Sequence, residues 1–156
     1  MRVGVHFYAV DQRDWLSRIV NCYVRLKGER LVHCALALDK WRYDCTTKGI
    51  TSYTDEVEMA SRNPVLTITW DVSDLAYHVI LVRVNTLWHM RTKLRLNDFL
   101  KFATGDYNDV FLCTDFVLLV LGLPTHPFTP EELAEFIAEY IASQNNVGVL
   151  ETRALP

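Results

Sequence analysis

The chain predicts an α+β domain, an antiparallel sheet packed with helices. Three observations carry that expectation. Short β-rich stretches alternate in polarity at Arg2–Val10 and Val65–Trp70, and two more such stretches, near residues 31–38 and 41–46, are separated only by Asp39-Lys40. Apolar residues recur at helical spacing after residue 14 and after residue 130. A solid apolar run, Phe116 to Leu121, is closed by Gly122 and Pro124, as a buried helix is.

The elements follow in order. Arg2 to Val10 sets Val3, Val5 and Phe7 against Gly4, His6 and Tyr8, the alternation of a first strand. Asp11 or Asp14 can cap a helix in which Trp15, Leu16, Ile19, Val20 and Tyr23 share a face up to about Leu26, with Gly28 as its breaker. Leu31 to Leu38 reads as a central strand, and Asp39-Lys40 turns it into a hairpin with Trp41 to Thr46. Lys48-Gly49 leads to a further strand, Ile50 to Tyr53. The polar Thr54–Asn63 segment carries no clear pattern and could cover a cleft. Val65–Trp70 and the β-branched Tyr77–Val84 read as two more strands. Asn85 or Thr86 would cap a helix from Leu87 to about Ala103, which Arg95-Leu96-Asn97-Asp98 could divide. Thr129, Pro130 and Glu132 form a capping box ahead of the stripe Leu133, Phe136, Ile137, Tyr140 and Ile141. Val147 to Leu150 suggests a last strand, and the tail to Pro156 is expected to be loose.

Length and composition set bounds. The 156 residues fit one domain, 1–156, half of it hydrophobic and 22% charged. A net charge of −3 gives no electrostatic reason to expect nucleic acid. Arg91, Lys93 and Arg95 read as a solvated helix face. No apolar run reaches the roughly 18–20 residues of a membrane span, and the N-terminal stretch has no signal-peptide pattern. The expected compartment is therefore a reducing cytoplasm, with Cys22, Cys34, Cys45 and Cys113 as free thiols. The cysteines have no zinc spacing, and His6, His78, His89 and His126 form no ligand pattern with acidic residues, so neither metal nor cofactor is expected. No glycine-rich loop precedes a helix and no G-x-S-x-G occurs.

The chemistry centres on the stretch Gly105–Leu123, GDYNDVFLCTDFVLLVLGL. Thr114 as N-cap would put Cys113 at the start of a buried helix, where free N–H groups and the helix dipole favour a thiolate. Cys113 is then either a nucleophile or a small buried hydrophobe. His33 faces away from Val32 and Cys34 in its strand, and is either a general base or a core histidine bonded to a carbonyl. Asp44, on the partner strand of the hairpin, either orients His33 as a third triad member or faces solvent from an edge. Tyr107, six residues before Cys113, lends a hydroxyl to an oxyanion or packs as an aromatic. Asp115 reads as a structural helix-start acid.

His33 in LVHCALALDKWRYDCTTKGI, together with Cys113 in YNDVFLCTDFVLLVLGLP, resembles the circularly permuted NlpC-like papain-fold cysteine hydrolases. That group includes the lecithin–retinol acyltransferase-like proteins and many small bacterial and phage proteins. Its pattern is a histidine early in one hairpin strand, a polar residue on the next, and a cysteine far downstream opening a helix. Tyr43-Asp44-Cys45, Gly49-Ile50 and the Thr129-Pro130-Glu131 start fit the same pattern. The resemblance implies a papain-like fold and a Cys113–His33–Asp44 triad acting through an acyl-enzyme, with Tyr107 beside it. It implies a peptidase or amidase acting on cell-wall peptide, isopeptide or acyl-ester bonds, in a bacterial cytoplasm or a phage particle. Two other outcomes stay open: a binding or structural protein with a relict site, and a thiol acyltransferase.

Overall fold

Strand β1 (Arg2–Tyr8) sets Val3, Val5 and Phe7 against Gly4, His6 and Tyr8, and lies in the middle of the sheet with a partner on each edge. The computed structural model describes residues 1–9, 15–54, 56–57, 63–126, 128–144 and 149–152. After β1 come helix α1 (Trp15–Leu26), the strands β2 (His33–Leu38), β3 (Trp41–Thr46), β4 (Gly49–Thr54) and β5 (Leu66–Asp71), and helix α2 (Asp74–His89). Helices α3 (Leu96–Thr104), α4 (Cys113–Leu121) and α5 (Pro130–Ser143) and strand β6 (Val149–Thr152) complete the order. The six strands form one antiparallel sheet in the order β4-β3-β2-β1-β5-β6, and the chain is α+β.

Alternation sorts the sheet into two faces. Val3, Val5 and Phe7 pair with Leu38, Leu36 and Cys34 on one side, and Val3 and Val5 with Trp70 and Ile68 on the other. These side chains are buried in one core with Phe116, Val117, Val120, Leu133 and Ile137 of α4 and α5. Gly4 marks a close approach: a Cβ there would stand 2.8 Å from Thr69 Cγ2 and 2.9 Å from the Ile68 carbonyl oxygen. The opposite face carries His6, Tyr8, His33, Arg42 and Asp44, all of them buried.

Asp39 and Lys40 make the hairpin turn between β2 and β3, Asp39 taking a left-handed φ of 49° that short polar side chains tolerate. The β2–β3 ladder pairs Leu36, Ala37 and Leu38 with Tyr43, Arg42 and Trp41. It stops there, although β1 stays paired with β2 as far as His33 and β4 stays paired with β3 as far as Thr46. Beyond Leu36 and Tyr43 the two strands are not paired, and α4 packs against both of them.

Several expectations are corrected. Tyr77–Val84 is not a strand but the middle of α2, whose N-cap Ser73 accepts from the Ala76 N–H at 3.2 Å. Its β-branched residues suit either structure by propensity, and burial decides: Tyr77, Ile80 and Val84 fall on one helical stripe. Asn85 and Thr86 therefore cap nothing; Thr86 Oγ1 donates back to the Val82 carbonyl within the helix. The expected Leu87–Ala103 helix is two helices, and the break spans residues 90–95. Arg91, Lys93 and Arg95 lie in or at the end of that connection rather than on a helix face, with Arg91 at a φ of 54°. The capping box at Thr129 is present, its hydroxyl accepting from Glu132 N at 3.3 Å and Glu132 Oε2 accepting from Thr129 N at 2.7 Å. The Asp11 or Asp14 cap, most of the Thr54–Asn63 cover and the tail beyond Thr152 lie outside the described residues. No helix among the described residues is long and apolar enough to cross a membrane.

Candidate active site

Helix α4 begins at Cys113. Thr114 is not its cap: Leu112 holds the N-cap position, and the cap is made from within the helix, where Asp115 Oδ2 accepts from the Leu112 N–H at 2.8 Å. Thr114 instead donates its hydroxyl to the Phe128 carbonyl at 2.9 Å, tying the helix start to the approach of α5. Gly122, at a φ of 75°, ends the helix in the left-handed conformation that glycine adopts without strain. Cys113 is therefore the first residue of a nine-residue buried helix, and its N–H belongs to the helix-start set without an intrahelical partner.

The unpaired parts of β2 and β3 carry the other two groups. His33 Nε2 donates to Asp44 Oδ1 at 2.6 Å, with both residues buried. The Tyr53 hydroxyl, from β4, donates to the second carboxylate oxygen, Oδ2, at 3.2 Å. Asp44 is wholly enclosed and does not face solvent. His33 also hydrogen-bonds the Cys113 sulfur. Tyr8 stacks obliquely beside the imidazole, with ring centroids 6.0 Å apart.

Electrostatics follow from these contacts. The Cys34 thiol, hydrogen-bonded to Cys113, is the largest influence holding the Cys113 sulfur well below the usual thiol range; burial opposes it, and the His33 charge and hydrogen bond add to it. Burial pulls His33 down, but the Asp44 carboxylate and the Cys113 sulfur outweigh it and raise the imidazole to about 9. Both shifts favour the pair as a thiolate beside an imidazolium. Burial pushes Cys34 and Cys45 up and keeps them as thiols. Asp115 is raised to about 6 by burial, against the pull of its bond to Leu112 and with the Cys113 charge adding to the rise.

Cys113 and His33 open onto a cleft between α1, α3 and the start of α5. Its wall is aromatic and aliphatic, with Tyr23, Val24, Phe99, Phe102, Phe111 and Phe128 prominent, and Tyr23 meets Phe99 edge-on at 5.4 Å. The cavity volume is about 80 Å³. Since one water needs roughly 10–15 Å³ on that measure, the space suits a single side chain or short acyl chain. Glu29 also borders the cleft, and its buried Oε2 has no hydrogen-bond partner among the described residues.

Tyr107 stands apart. It is 56% exposed, packs against Phe102 with ring centroids 5.8 Å apart, and does not form the cleft wall. The residues sequence reasoning missed are Cys34, Tyr53 and Glu29. Cys34 carried a signal, since it directly follows the candidate histidine; Tyr53 and Glu29 reach the site only through the β4 register and the α1–β2 loop. Among the described residues no group of His, Cys, Asp and Glu is arranged to hold a metal ion, and all four cysteines are free thiols.

No family model, curated protein or solved structure matches the chain.

Proposed function

We propose that the protein is a cysteine hydrolase of the permuted NlpC-like, papain-fold kind, acting on peptide, amide or acyl-ester bonds. The observation that carries the reading is the continuous chain of contacts from the Cys113 sulfur through His33 to Asp44, at a helix N-terminus that opens on a cleft. The order of the three residues along the chain, and a cysteine-headed helix packed on an antiparallel sheet, support the same family.

The mechanism uses groups already in place. The Cys113 thiolate attacks the carbonyl carbon, and the developing oxyanion is held by the Cys113 N–H at the helix start. With Nε2 on Asp44, His33 uses Nδ1 to protonate the leaving group, then takes a proton from the water that cleaves the thioester. Asp44 fixes the ring and stabilises the imidazolium, and Tyr53 fixes Asp44. The narrow apolar cleft favours a substrate whose group next to the scissile carbonyl is an aliphatic or aromatic chain of side-chain size. Glu29 Oε2 would accept from a donor at its edge.

The test is turnover of a panel of acyl esters and peptide anilides of graded acyl size by the wild type and by Cys113→Ala, with iodoacetamide labelling mapped by peptide mass. Hydrolysis should vanish in the variant while its fold persists, and Cys113 should label with an apparent pKa well below the ~8.5 of a free cysteine. Turnover that survives the substitution, or exposed Cys22 labelling ahead of Cys113 near neutral pH, would overturn the proposal.

A further inference from the structure

Cys34 is a buried thiol that the proposed hydrolysis uses only as a hydrogen-bond donor to Cys113. It follows His33 in β2, and the alternation that turns His33 to one face turns Cys34 to the other, against the start of α4. There its thiol and its backbone N–H both hydrogen-bond the Cys113 sulfur. Cys34 has no exposed surface and does not border the cleft, whereas Cys113 does both, at 8% exposure. A small solute entering the cleft therefore meets Cys113 first, and Cys34 is that residue's enclosed hydrogen-bond partner.

We propose that Cys34 is the resolving thiol of Cys113, so that a hydroperoxide entering the cleft converts the pair to a reversible Cys34–Cys113 disulfide. The inference rests on the thiolate nucleophile assigned to Cys113 and not on which acyl group it attacks. In the first step the Cys113 sulfur attacks one peroxide oxygen, giving up two electrons; the O–O bond breaks, and the departing oxygen leaves as hydroxide and becomes water on protonation. Cys113 is then a sulfenic acid. In the second step the Cys34 sulfur attacks the Cys113 sulfur, the S–S bond forms as the S–O bond breaks, and the hydroxide takes the Cys34 proton to leave as water. Two thiols and one hydrogen peroxide thus give one disulfide and two waters, and an added dithiol returns both thiols.

The arrangement gives the order of events a physical basis. While Cys113 is a thiolate, burial and that neighbouring charge keep Cys34 protonated and inert. Forming the sulfenic acid removes the charge, and Cys34 then faces an electrophilic sulfur. A closed disulfide silences the nucleophile and shields it from the irreversible sulfinic and sulfonic acids.

The experiment treats the full chain with hydrogen peroxide at neutral pH, maps cysteine-containing peptides without reduction, and measures iodoacetamide labelling of Cys113 before treatment, after treatment and after dithiothreitol. The wild type should yield a Cys34–Cys113 linked peptide, lose labelling, and regain it with dithiothreitol. Cys34→Ser, which keeps a hydrogen-bond donor beside Cys113, should instead gain the oxygens of a sulfinic or sulfonic acid and not recover. A wild type that over-oxidises as readily as the variant, or a linkage to Cys45 or Cys22, would overturn the inference. If Cys34→Ser does not fold, the wild-type linkage map alone decides. Fast labelling of untreated Cys113 without any disulfide sinks only this inference, while slow labelling sinks the thiolate reading with it.

Discussion

His33 and Asp44 lie 11 residues apart in sequence and 2.6 Å apart in space, on two strands whose backbone ladder has already ended. The side-chain bond links the two strands beyond their last paired residues, beside the helix terminus that presents Cys113, so Asp44, His33 and Cys113 come together there.

Removing the carboxylate should therefore cost both stability and reactivity. Asp44→Ala leaves a buried imidazole and the Tyr53 hydroxyl without their acceptor, and should lower unfolding free energy by about 3 kcal/mol in urea titration. Asp44→Asn keeps the shape and loses the charge that raises His33, so the Cys113 alkylation profile should shift to higher pH. An alanine variant as stable and as reactive as the wild type would make the contact incidental.

The pH dependence has a definite sign. His33 is raised from 6.5 to about 9, so its contribution to stability is complete below pH 6.5 and is lost as pH climbs through about 9. Cys113 is lowered from 9.0, so its contribution is complete above pH 9.0 and is lost as pH falls through its folded value. Where the two ranges overlap below pH 9 the slopes oppose each other, and urea midpoints of the wild type should change little there. Turnover should fall above about pH 9, when His33 no longer carries a proton for the leaving group, and in Asp44→Asn that fall should come at lower pH. Stopped-flow rates across about pH 5–10 read both limbs.

Asp115 offers a check on the helix start. Its carboxyl is raised to about 6, so what it contributes is greatest when protonated and is lost as pH rises through 6. Asp115→Asn keeps an oxygen for the Leu112 N–H and carries no charge. The variant should gain on the wild type in melting temperature as pH rises from 4 to 8. A constant difference over that range would show that burial of the charge costs nothing.

Tyr107 is the remaining sequence-derived site residue, and its exposed position makes a simple expectation. Tyr107→Phe should change kcat by less than about two-fold, since removal of a true oxyanion donor costs roughly 10²–10³. A loss of that larger size, in steady-state assays on the best substrate of the panel, would bring the hydroxyl into the reaction.

Legibility in the sequence differed from residue to residue. The capping box at Thr129 could be read because all its partners lie within one turn. The hairpin from His33 to Thr46 could be read because alternation and a two-residue turn are local. Tyr77–Val84 misled because β-branched residues serve either structure, and only packing of Tyr77, Ile80 and Val84 chose the helix. Thr114 misled because a good capping residue was free to bond elsewhere, to Phe128, once Asp115 had reached back to Leu112.

The sequence by itself determined the α+β class, the cysteine at the head of a buried helix and a histidine and an aspartate on adjacent strands, because each depends on contacts within a few residues. Only the tertiary structure decided that Asp44 turns inward to His33, that Tyr107 stays outside, and that Cys34 hydrogen-bonds Cys113. Those outcomes depend on where the β2–β3 ladder stops and how α4 meets it, and such long-range geometry leaves no mark on any single stretch of chain.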